Sequence, residues 1–413
     1  MLAILVLALP QVYVFRVSGT YLPLAMWAVA LCVPLLKVQR RDGAVLLLLL
    51  LHYLVATLAI AWSSNVGTWG NYLLFGSTFP LCFFLGRRIP VSKLETGLKL
   101  FSMIAAAHSI LIVVFRLNPN IKMAFLFSGA LRIFKNPDRL VGYERGDVAL
   151  NIFDPLKSGG IFDNANTAAT FTLVAIGTLV AVRNSLPRSA FLVMLVLLVV
   201  GVAASGSKSG VFYLVALSAL LFFLLGSSSG TATRRLTVVY ASITGLVAIS
   251  LLWTSLSGAF LGTEVGQDTL KTGSYRVQLW LLAAEVIQAN WLTGVGFGGW
   301  ADVLAARASY YGVLPTWPPH NSLLQTWVET GIFGLLALMG AWFVLFKRVA
   351  RSALVGVAGA SGAAFALIAA AGMSMGDPTP LFGAPQFAPA LGFVVAIVLN
   401  RRDEWLVGTQ ADV

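Results

Sequence analysis

Long apolar runs are the feature of this sequence that most restricts its possible folds. Runs of about 18 residues or longer recur along the whole chain, and a helix of that length can cross the ~30 Å hydrocarbon core of a bilayer. Of the 413 residues, 58% are hydrophobic and only 11% are charged, whereas soluble domains carry about 25% charged residues. The runs do not alternate apolar and polar residues as the strands of a membrane barrel do. The sequence therefore predicts an all-α integral membrane protein, built as a single transmembrane domain over residues 1–413.

The positions of these runs predict about twelve transmembrane helices. They fall at residues 2–17, 20–36, 44–62, 70–86, 97–115, 161–182, 187–204, 209–226, 236–253, 321–346, 353–372 and 386–400. The first run, MLAILVLALPQVYVFR, has no basic leader and no small-residue cleavage site. We therefore interpret it as a retained helix rather than a signal peptide.

Basic residues are concentrated in alternate connections between these spans. If the N-terminus is inside, the short outer connections carry only Arg16 and Lys208. The inner connections and the tail then carry Lys37, Arg40, Arg41, Arg87, Arg88, Lys93, Lys99, Arg183, Arg188, Arg234, Arg235, Lys347, Arg348, Arg351, Arg401 and Arg402. Because Lys and Arg accumulate on the cytoplasmic side of membrane proteins, both termini are predicted to be cytoplasmic. The same bias explains the net charge of +12 without nucleic-acid binding.

Two outer connections are long enough to be functional. Loop A covers residues 116–160 and loop B covers residues 254–320, and both mix aromatic, glycine and charged residues. Within loop B, apolar residues recur at helical spacing from Ser274 to Leu292. This pattern predicts an amphipathic helix at the outer membrane boundary. The working face of the protein is therefore predicted to be the outer one.

His320 is the leading candidate for chemistry on that face. It follows Pro318 and Pro319 and precedes Asn321 and Ser322, so it is predicted to lie at the start of the tenth span, with Asn or Ser as the N-cap. The amides of a first helical turn favour an anion. An imidazole with an ordinary pKa of about 6.5 is mostly neutral near pH 7 and can take a proton from a hydroxyl. The alternative is a structural histidine that caps a turn.

Three outer cations lie beside glycine or serine, namely Lys157, Lys208 and Arg276. Cations at the membrane edge can bind phosphate, and ordinary snorkelling toward lipid headgroups is the alternative. With His320 they predict a site for an amphiphile that has a diphosphate head. A transporter would more often show broken spans and charges at mid-membrane. Loop A also carries basic residues that a solvated, internally paired face would explain equally well, namely Arg132, Arg139 and Arg145.

Other polar residues are predicted to be structural. His52 and His108 lie mid-span and are interpreted as hydrogen-bonding groups inside the bundle, and no metal site is predicted. Cys32 and Cys82 lie in apolar runs and predict no disulfide. Glu329 is left open: it is nine residues from His320, about 13.5 Å along a regular helix and on its opposite side, so it should have another partner. A functional carboxylate and a structural hydrogen bond are equal alternatives for it. The stretch from Gly294 to Trp300 follows no strand, so its glycines are interpreted as permitting a tight loop rather than as binding a nucleotide.

Four blocks of this sequence resemble the O-antigen ligase and O-antigen polymerase superfamily. The most specific is His320-Asn321 followed after nine residues by Gly331-Ile332-Phe333-Gly334. The others are GGIFDNANTAATF (159–171), SGSKSGVF (205–212) and YRVQLWLLAAEVIQANWLTGVGFGGW (275–300). Two departures stand out, because Lys208 occupies a position where the family usually has arginine and Ala165 replaces a proline. Lysine keeps the charge but loses the bidentate fork.

The resemblance implies a C-type glycosyltransferase-like fold in the bacterial inner membrane, with a periplasmic active site and no metal or other cofactor. The donor would be a glycan on undecaprenyl diphosphate, and a ligase would pass it to lipid A-core. His320 would be the base that activates the acceptor, and Arg276 and Lys208 would hold the diphosphate. Further substrate-binding candidates are Lys157, Arg139, Arg145, Asn321 and Asn166. A polymerase of the same fold and a flippase or transporter for lipid-linked glycans remain as alternatives.

Overall fold

The computed structural model describes residues 13–17, 20–23, 38–63, 69–128, 153–162, 164–226, 264–313, 317–376, 382, 384 and 386–411. The predicted span at 236–253 lies outside the described residues, and so do most of loop A and the substrate-binding candidates Arg139 and Arg145.

The described part of the chain is helical apart from one short hairpin. Its helices are α1 (Gly43–Leu58), α2 (Trp69–Gly76), α3 (Thr78–Gly86), α4 (Val91–Leu117), α5 (Pro119–Phe127), α6 (Ala165–Ala181), α7 (Arg188–Ala204), α8 (Lys208–Gly226), α9 (Glu264–Asn290), α10 (Trp300–Tyr311), α11 (Ser322–Leu354), α12 (Ala360–Ser374) and α13 (Ala388–Ala411). The predicted all-α class is thus confirmed for the described residues from position 38 onward. Helices α5 and α10 were not predicted, and the amphipathic segment at Ser274–Leu292 falls largely within α9.

Three described segments are long and apolar enough to cross a membrane. They are Arg40–Trp62, Val91–Leu117 and Ser322–Leu354. Four shorter apolar helices accompany them at Ala165–Ala181, Arg188–Ala204, Lys208–Ser218 and Ala360–Ser374. The predicted span at 70–86 is divided between α2 and α3. Helices α1, α4, α6, α7, α8, α11, α12 and α13 overlap predicted spans. The total of twelve membrane crossings stays a prediction.

The ends of the first two predicted spans are not helical. Tyr13–Val17 and Thr20–Pro23 pair as antiparallel strands β1 and β2, with Val17 opposite Thr20. Both strands are rich in aromatic and β-branched residues, which favour extended backbone. The prediction of helix at these positions was therefore wrong, because apolar content alone does not separate a strand from a helix.

Helices α6 and α12 pack closely at the centre of the bundle. A β-carbon on Gly177 would lie 2.6 Å from the carbonyl oxygen of Gly362, and one on Gly362 would lie 2.3 Å from that of Gly177. Small residues allow this backbone contact, as in many membrane helix pairs. Almost every residue of both helices is buried, so this pair gives the surrounding helices a fixed support.

Several described connections that were predicted to be cytoplasmic meet at one end of the bundle, here called the basic end. The buried guanidinium of Arg87 bonds Asp42 at 2.9 Å and Asp403 at 2.5 Å, and Arg348 bonds the other oxygen of Asp42 at 2.6 Å. Arg401 pairs with Glu95 and donates to the carbonyls of Ala181 and Ala358. Since helices alternate in direction, the starts of α6, α8 and α11 and the end of α12 lie at the opposite end.

Helix α11 is interrupted at Gly331, where φ is +68° and ψ is −171°. A β-carbon there would lie 2.1 Å from the carbonyl oxygen of Leu292. Two backbone bonds hold the segment after α9 against this break, from Ile332 N to Trp291 O (3.0 Å) and from Val295 N to Val328 O (2.8 Å). A side chain at position 331 would prevent this approach, so the break fixes α9 against α11.

Candidate functional site

The start of α11 places His320 and Asn321 at the end of the bundle away from the basic end. Asn321 caps the helix, because its Oδ1 accepts from the amides of Leu323 (3.0 Å) and Leu324 (3.1 Å). His320 has a left-handed backbone with φ of +51° and is half-buried. Ser322 Oγ donates to the carbonyl of Ser374 at 3.0 Å, which joins the start of α11 to the end of α12. The predicted N-cap is confirmed.

Helix α9 is joined to the residue before His320. The indole Nε1 of Trp280 donates to the carbonyl of Pro319. The ring of Trp317 lies between two others, with centroid distances of 5.2 Å to Tyr275 and 6.4 Å to His320. Arg276 is one helical turn before Trp280 on α9, and residues four apart share a helix face. The helix that carries Arg276 therefore packs directly on the segment that carries His320.

Arg276 also approaches the start of α8 and the end of α12. A β-carbon placed on Gly376 would lie 3.5 Å from Oγ of Ser209 and 3.9 Å from Nη1 of Arg276. Ser209 follows Lys208, the exposed first residue of α8. Gly376 lies two residues after Ser374, whose carbonyl accepts the hydrogen bond from Ser322 Oγ. The starts of α8 and α11, the end of α12 and the Arg276 turn of α9 thus surround one region.

The starts of α6 and α8 are bonded side by side. Ser207 Oγ donates to Oδ1 of Asn166 at 2.7 Å and accepts from the amide of Gly210 at 3.1 Å. Asn164 caps α6 by accepting from the amide of Asn166 at 2.7 Å. The oxygen of Asn166 therefore positions the turn before Lys208, and a substrate-binding role for Asn166 would fall to its Nδ2 donor.

Lys157 lies against the same turn. A β-carbon on Gly206 would lie 2.2 Å from the carbonyl oxygen of Leu156 and 3.2 Å from the α-carbon of Lys157. The amide of Ser158 donates to the carbonyl of Ser205 at 2.9 Å. Lys157 Nζ is paired with Asp154 Oδ2 at 3.1 Å, and about a quarter of each side chain is exposed. An anion that binds Lys157 would have to compete with this carboxylate.

A second lysine fixes the segment that carries Lys157. Lys122 on α5 is 1% exposed, and its Nζ donates to the carbonyls of Asp154 (3.0 Å) and Lys157 (3.1 Å). Arg116 adds a bond to the carbonyl of Pro155 at 2.9 Å. Burial and the nearby charge of Arg116 lower the pKa of Lys122, while Asp154 opposes them. Sequence analysis missed Lys122, because nothing in its local pattern indicates burial.

The predicted site residues fall into two groups by placement. Contacts bring the turns of His320, Asn321, Arg276 and Lys208 around one region, and Lys157 and Asn166 border it through the turn at 205–207. The structure adds residues that sequence analysis did not select, namely Ser209, Trp280, Ser322, Ser374 and Gly376. Of these residues, only Trp280 could have been selected from the sequence, because it lies one helical turn after the candidate Arg276. The others are small residues whose neighbours depend on tertiary packing.

Glu329, His52 and His108 form hydrogen bonds elsewhere in the bundle. Buried Glu329 accepts from Nε2 of Gln325 at 3.2 Å and from the backbone of Gly298. His52 bonds the carbonyl of Gly334 (2.9 Å) and the hydroxyl of Tyr72 (2.5 Å). His108 Nε2 accepts from the amide of Ile161 at 3.1 Å. The structure thus gives Glu329 a partner other than His320 and gives both histidines interior hydrogen bonds, as the sequence predicted.

The glycine stretch after α9 forms a compact turn. Gly294, Gly296 and Gly298 all have positive φ. A β-carbon on Gly296 would lie 2.7 Å from the α-carbon of Ser63. Ser63 Oγ donates to the carbonyl of Phe297. The prediction that these glycines permit a tight loop is confirmed, and the loop joins α11 to the end of α1.

The arrangement of charges suits a bound anion. Cationic Lys208 and Arg276 supply positive charge, and the starts of α8 and α11 supply amide dipoles of the same sign. His320 lies at the border of this region, and an imidazole is a side chain that can accept a proton. Among the described residues there is no group of three or more His, Cys, Asp or Glu side chains suited to a metal ion.

Comparison with known proteins locates a related domain in this part of the chain. The family model described as O-antigen ligase matches residues 193–339. That range contains Lys208, Ser209, Arg276 and His320. A comparison with curated proteins finds no match. The family match confirms the predicted resemblance to the O-antigen ligase and polymerase superfamily, and it supports a membrane transferase with an O-antigen-related function.

Proposed function

We propose that this protein is an O-antigen ligase of the inner membrane with a periplasmic active site. It transfers a glycan from undecaprenyl diphosphate to lipid A-core, and it needs no metal ion. The observation that carries the proposal is the packing of the His320 segment on the Arg276 helix through the Trp280–Pro319 bond. This packing lies within the range matched by the O-antigen ligase family model.

The reaction follows from the charges of the site. His320 takes the proton from the acceptor hydroxyl as its oxygen attacks the anomeric carbon of the donor sugar. The bond between this carbon and the diphosphate oxygen breaks, and that oxygen keeps the electron pair. Undecaprenyl diphosphate therefore gains one negative charge as it leaves. Arg276 and Lys208 stabilise this growing charge in the transition state. Direct displacement by a single attacking oxygen inverts the anomeric configuration.

The remaining candidates have more local roles in this proposal. Lys157 contributes a further positive charge once an anion displaces Asp154, and Asn166 and Asn321 offer amide donors to the sugar or the phosphate. Arg139 and Arg145 on loop A are proposed to contact substrate as well. Binding of an anion to Lys157 should depend on ionic strength, because its side chain is partly exposed.

A polymerase is the second candidate, because the family match applies equally to O-antigen polymerases. It would use the same base and cations, but the acceptor would be the sugar end of a second lipid-linked glycan. A transporter for lipid-linked glycans is less well supported, since a base is not needed for translocation. The two enzymes differ in product, and the transporter forms no new glycosidic bond.

The test is reconstitution of the purified chain in lipid nanodiscs with a glycan on undecaprenyl diphosphate. Ligase activity would join the glycan to added lipid A-core and release undecaprenyl diphosphate in equal amount. Longer glycan on the donor lipid would identify a polymerase instead. Absence of new glycosidic bonds with either acceptor would refute both enzymes. A chelator should leave the rate unchanged, and loss of activity restored by Mg²⁺ would contradict the metal-independent mechanism.

A further inference from the structure

The buried ammonium group of Lys122 donates to two peptide carbonyls. Lys122 is 1% exposed, and its Nζ lies 3.0 Å from the carbonyl oxygen of Asp154 and 3.1 Å from that of Lys157. Burial of a charged group costs more free energy than burial of a neutral donor. A neutral amide could donate to the same two oxygens at a lower cost. A lysine at this position therefore points to a function of the segment that it bonds.

Both carbonyls belong to one short segment, residues 154–158, here called the strap. The backbone amide of Lys157 donates to the carbonyl of Asp154 at 3.0 Å and closes a turn. The amide of Leu156 donates to Oδ1 of Asp154 at 2.8 Å. Lys122 thus bonds the first and the last carbonyl of the turn that carries Lys157. It fixes the backbone from which the Lys157 side chain extends.

The end of the strap is joined to the turn before Lys208. The amide of Ser158 donates to the carbonyl of Ser205 at 2.9 Å. Oγ of the buried Ser158 donates to the carbonyl of Ile112 on α4 at 2.8 Å. Lys122 on α5 and Ser158 therefore hold the strap between the α4–α5 corner and the turn that leads into α8.

Cationic side chains outnumber carboxylates around the strap. Arg116 donates to the carbonyl of Pro155 at 2.9 Å, and Lys157 pairs with the carboxylate of Asp154 at 3.1 Å. With Lys122 there are three cations and one carboxylate in this group, and the surplus of positive charge attracts anions. The side chain of Lys157 is 23% exposed, so an anion can reach it, whereas Lys122 is inaccessible behind the strap.

We propose that Lys122 is a positioning residue that holds Lys157 in place for the anionic donor without touching the donor itself. The inference rests on the function proposed above. Asp154 pairs with Lys157 until the donor displaces its carboxylate. The bonds from Lys122 persist during this exchange, because they are made to backbone carbonyls and not to that carboxylate. The strap thus stays fixed while the ion pair on its surface opens.

Lys122→Met tests this role, because methionine keeps a long unbranched side chain but donates no hydrogen bond. The donor KM should rise by about tenfold through misplacement of Lys157, and the acceptor KM should stay unchanged. Lys122→Arg keeps a cationic donor and should restore most of the loss. Arg401→Met is the matched control, because Arg401 also donates to two carbonyls, those of Ala181 and Ala358, but at the basic end. It should lower the thermal midpoint only, and an equal rise of the donor KM in both methionine variants would contradict the proposal.

A double-mutant cycle shows whether Lys122 acts through Lys157. In a Lys157→Met background, Lys122→Met should raise the donor KM much less than it does in the wild type, because the two residues belong to one pathway. Fold-changes that simply multiply would refute the positioning role. If Lys122→Met fails to fold, Ser158→Ala takes its place in the cycle. It loosens the same strap by removing only the bond to Ile112, and the same outcomes decide.

Turnover of the wild type separates this inference from the proposed function. The assay uses the full chain in nanodiscs with a glycan on undecaprenyl diphosphate. If the wild type transfers no glycan, the proposed function fails and the inference falls with it. If the wild type transfers glycan while Lys122→Met folds and keeps the wild-type donor KM, only the positioning role is refuted. A selective rise of the donor KM that arginine reverses supports it.

Discussion

The indole of Trp280 donates a hydrogen bond to the carbonyl of Pro319 across 2.9 Å, although the two residues are 39 positions apart. Trp280 lies one turn after Arg276, and Pro319 immediately precedes His320. The bond therefore sets the distance between the helix that carries the proposed cation and the turn that carries the proposed base. It makes Trp280 a positioning residue that does not itself touch the reacting atoms.

Trp280→Phe should slow transfer without preventing folding. Phenylalanine keeps the aromatic packing but cannot donate to Pro319, and one neutral hydrogen bond corresponds to an effect of up to about tenfold. The loss should appear in kcat, with donor binding little changed. Trp291→Phe is the matched control, because Trp291 is 55% exposed and the hydrogen bond to its carbonyl does not involve its indole. Equal loss of kcat in both variants would contradict the positioning role.

His320→Asn should abolish most transfer while keeping the local backbone. The left-handed φ of +51° at position 320 is tolerated by asparagine better than by most residues. Since asparagine cannot act as a base, the rate should fall by about 10²- to 10⁴-fold. Equilibrium binding of undecaprenyl diphosphate should stay near the wild-type level. A variant that still transfers glycan at the wild-type rate would exclude His320 as the base.

Gly331→Ala should destabilise the protein through the break in α11. The added β-carbon would lie 2.1 Å from the carbonyl of Leu292, and the positive φ alone costs about 1–3 kcal/mol for a residue with a side chain. Gly340→Ala in the same helix meets only the flexible end of Leu48 at 3.3 Å. It should be neutral or stabilising, by at most about 1 kcal/mol. Thermal unfolding in detergent compares the two, and similar midpoints would contradict the close approach seen here.

Asp403 should make the stability of the basic end depend on pH in the acid range. Burial raises the pKa of Asp403, but the hydrogen bonds and charges of Arg87 and Arg41 outweigh burial and hold the pKa below its usual 3.8. Because the pKa of Asp403 is lower in the folded state than in the unfolded state, its carboxylate stabilises the fold fully at pH values above the unfolded-state pKa. It is lost as pH falls through the lower folded value.

Asp403→Asn should therefore lower the free energy of unfolding near neutral pH by about 1–2 kcal/mol, and by progressively less as the pH falls below about 4. The unfolding midpoints of the wild type and of Asp403→Asn should approach each other as the pH is lowered across this range. Glu404→Gln is the matched control, since Glu404 is an exposed carboxylate on the same helix. If the free energy of unfolding differed between wild type and Asp403→Asn by the same amount at all pH values, the proposed pH dependence would be refuted.

Local sequence patterns were sufficient for several features of the site. The Pro-Pro-His-Asn-Ser order identified the start of α11 and its Asn321 cap, because capping depends on residues adjacent in sequence. The spacing between His320 and Glu329 excluded a direct contact along the regular turns before Gly331. The same local reasoning failed at residues 13–23, where a short apolar segment is compatible with both a strand and a helix.

Sequence patterns alone were enough to locate most described helices, to find the basic connections and to select side chains that could supply a base and cations. Hydrophobic periodicity and capping encode these properties locally. Helix packing was needed to show that Ser209, Arg276 and Gly376 are neighbours and that Trp280 bonds the residue before His320. These contacts join segments far apart in sequence, and they depend on which helices pack together and how closely. Close packing was set by glycines at positions such as 177, 331 and 362, whose role becomes visible only when the opposing backbone is present.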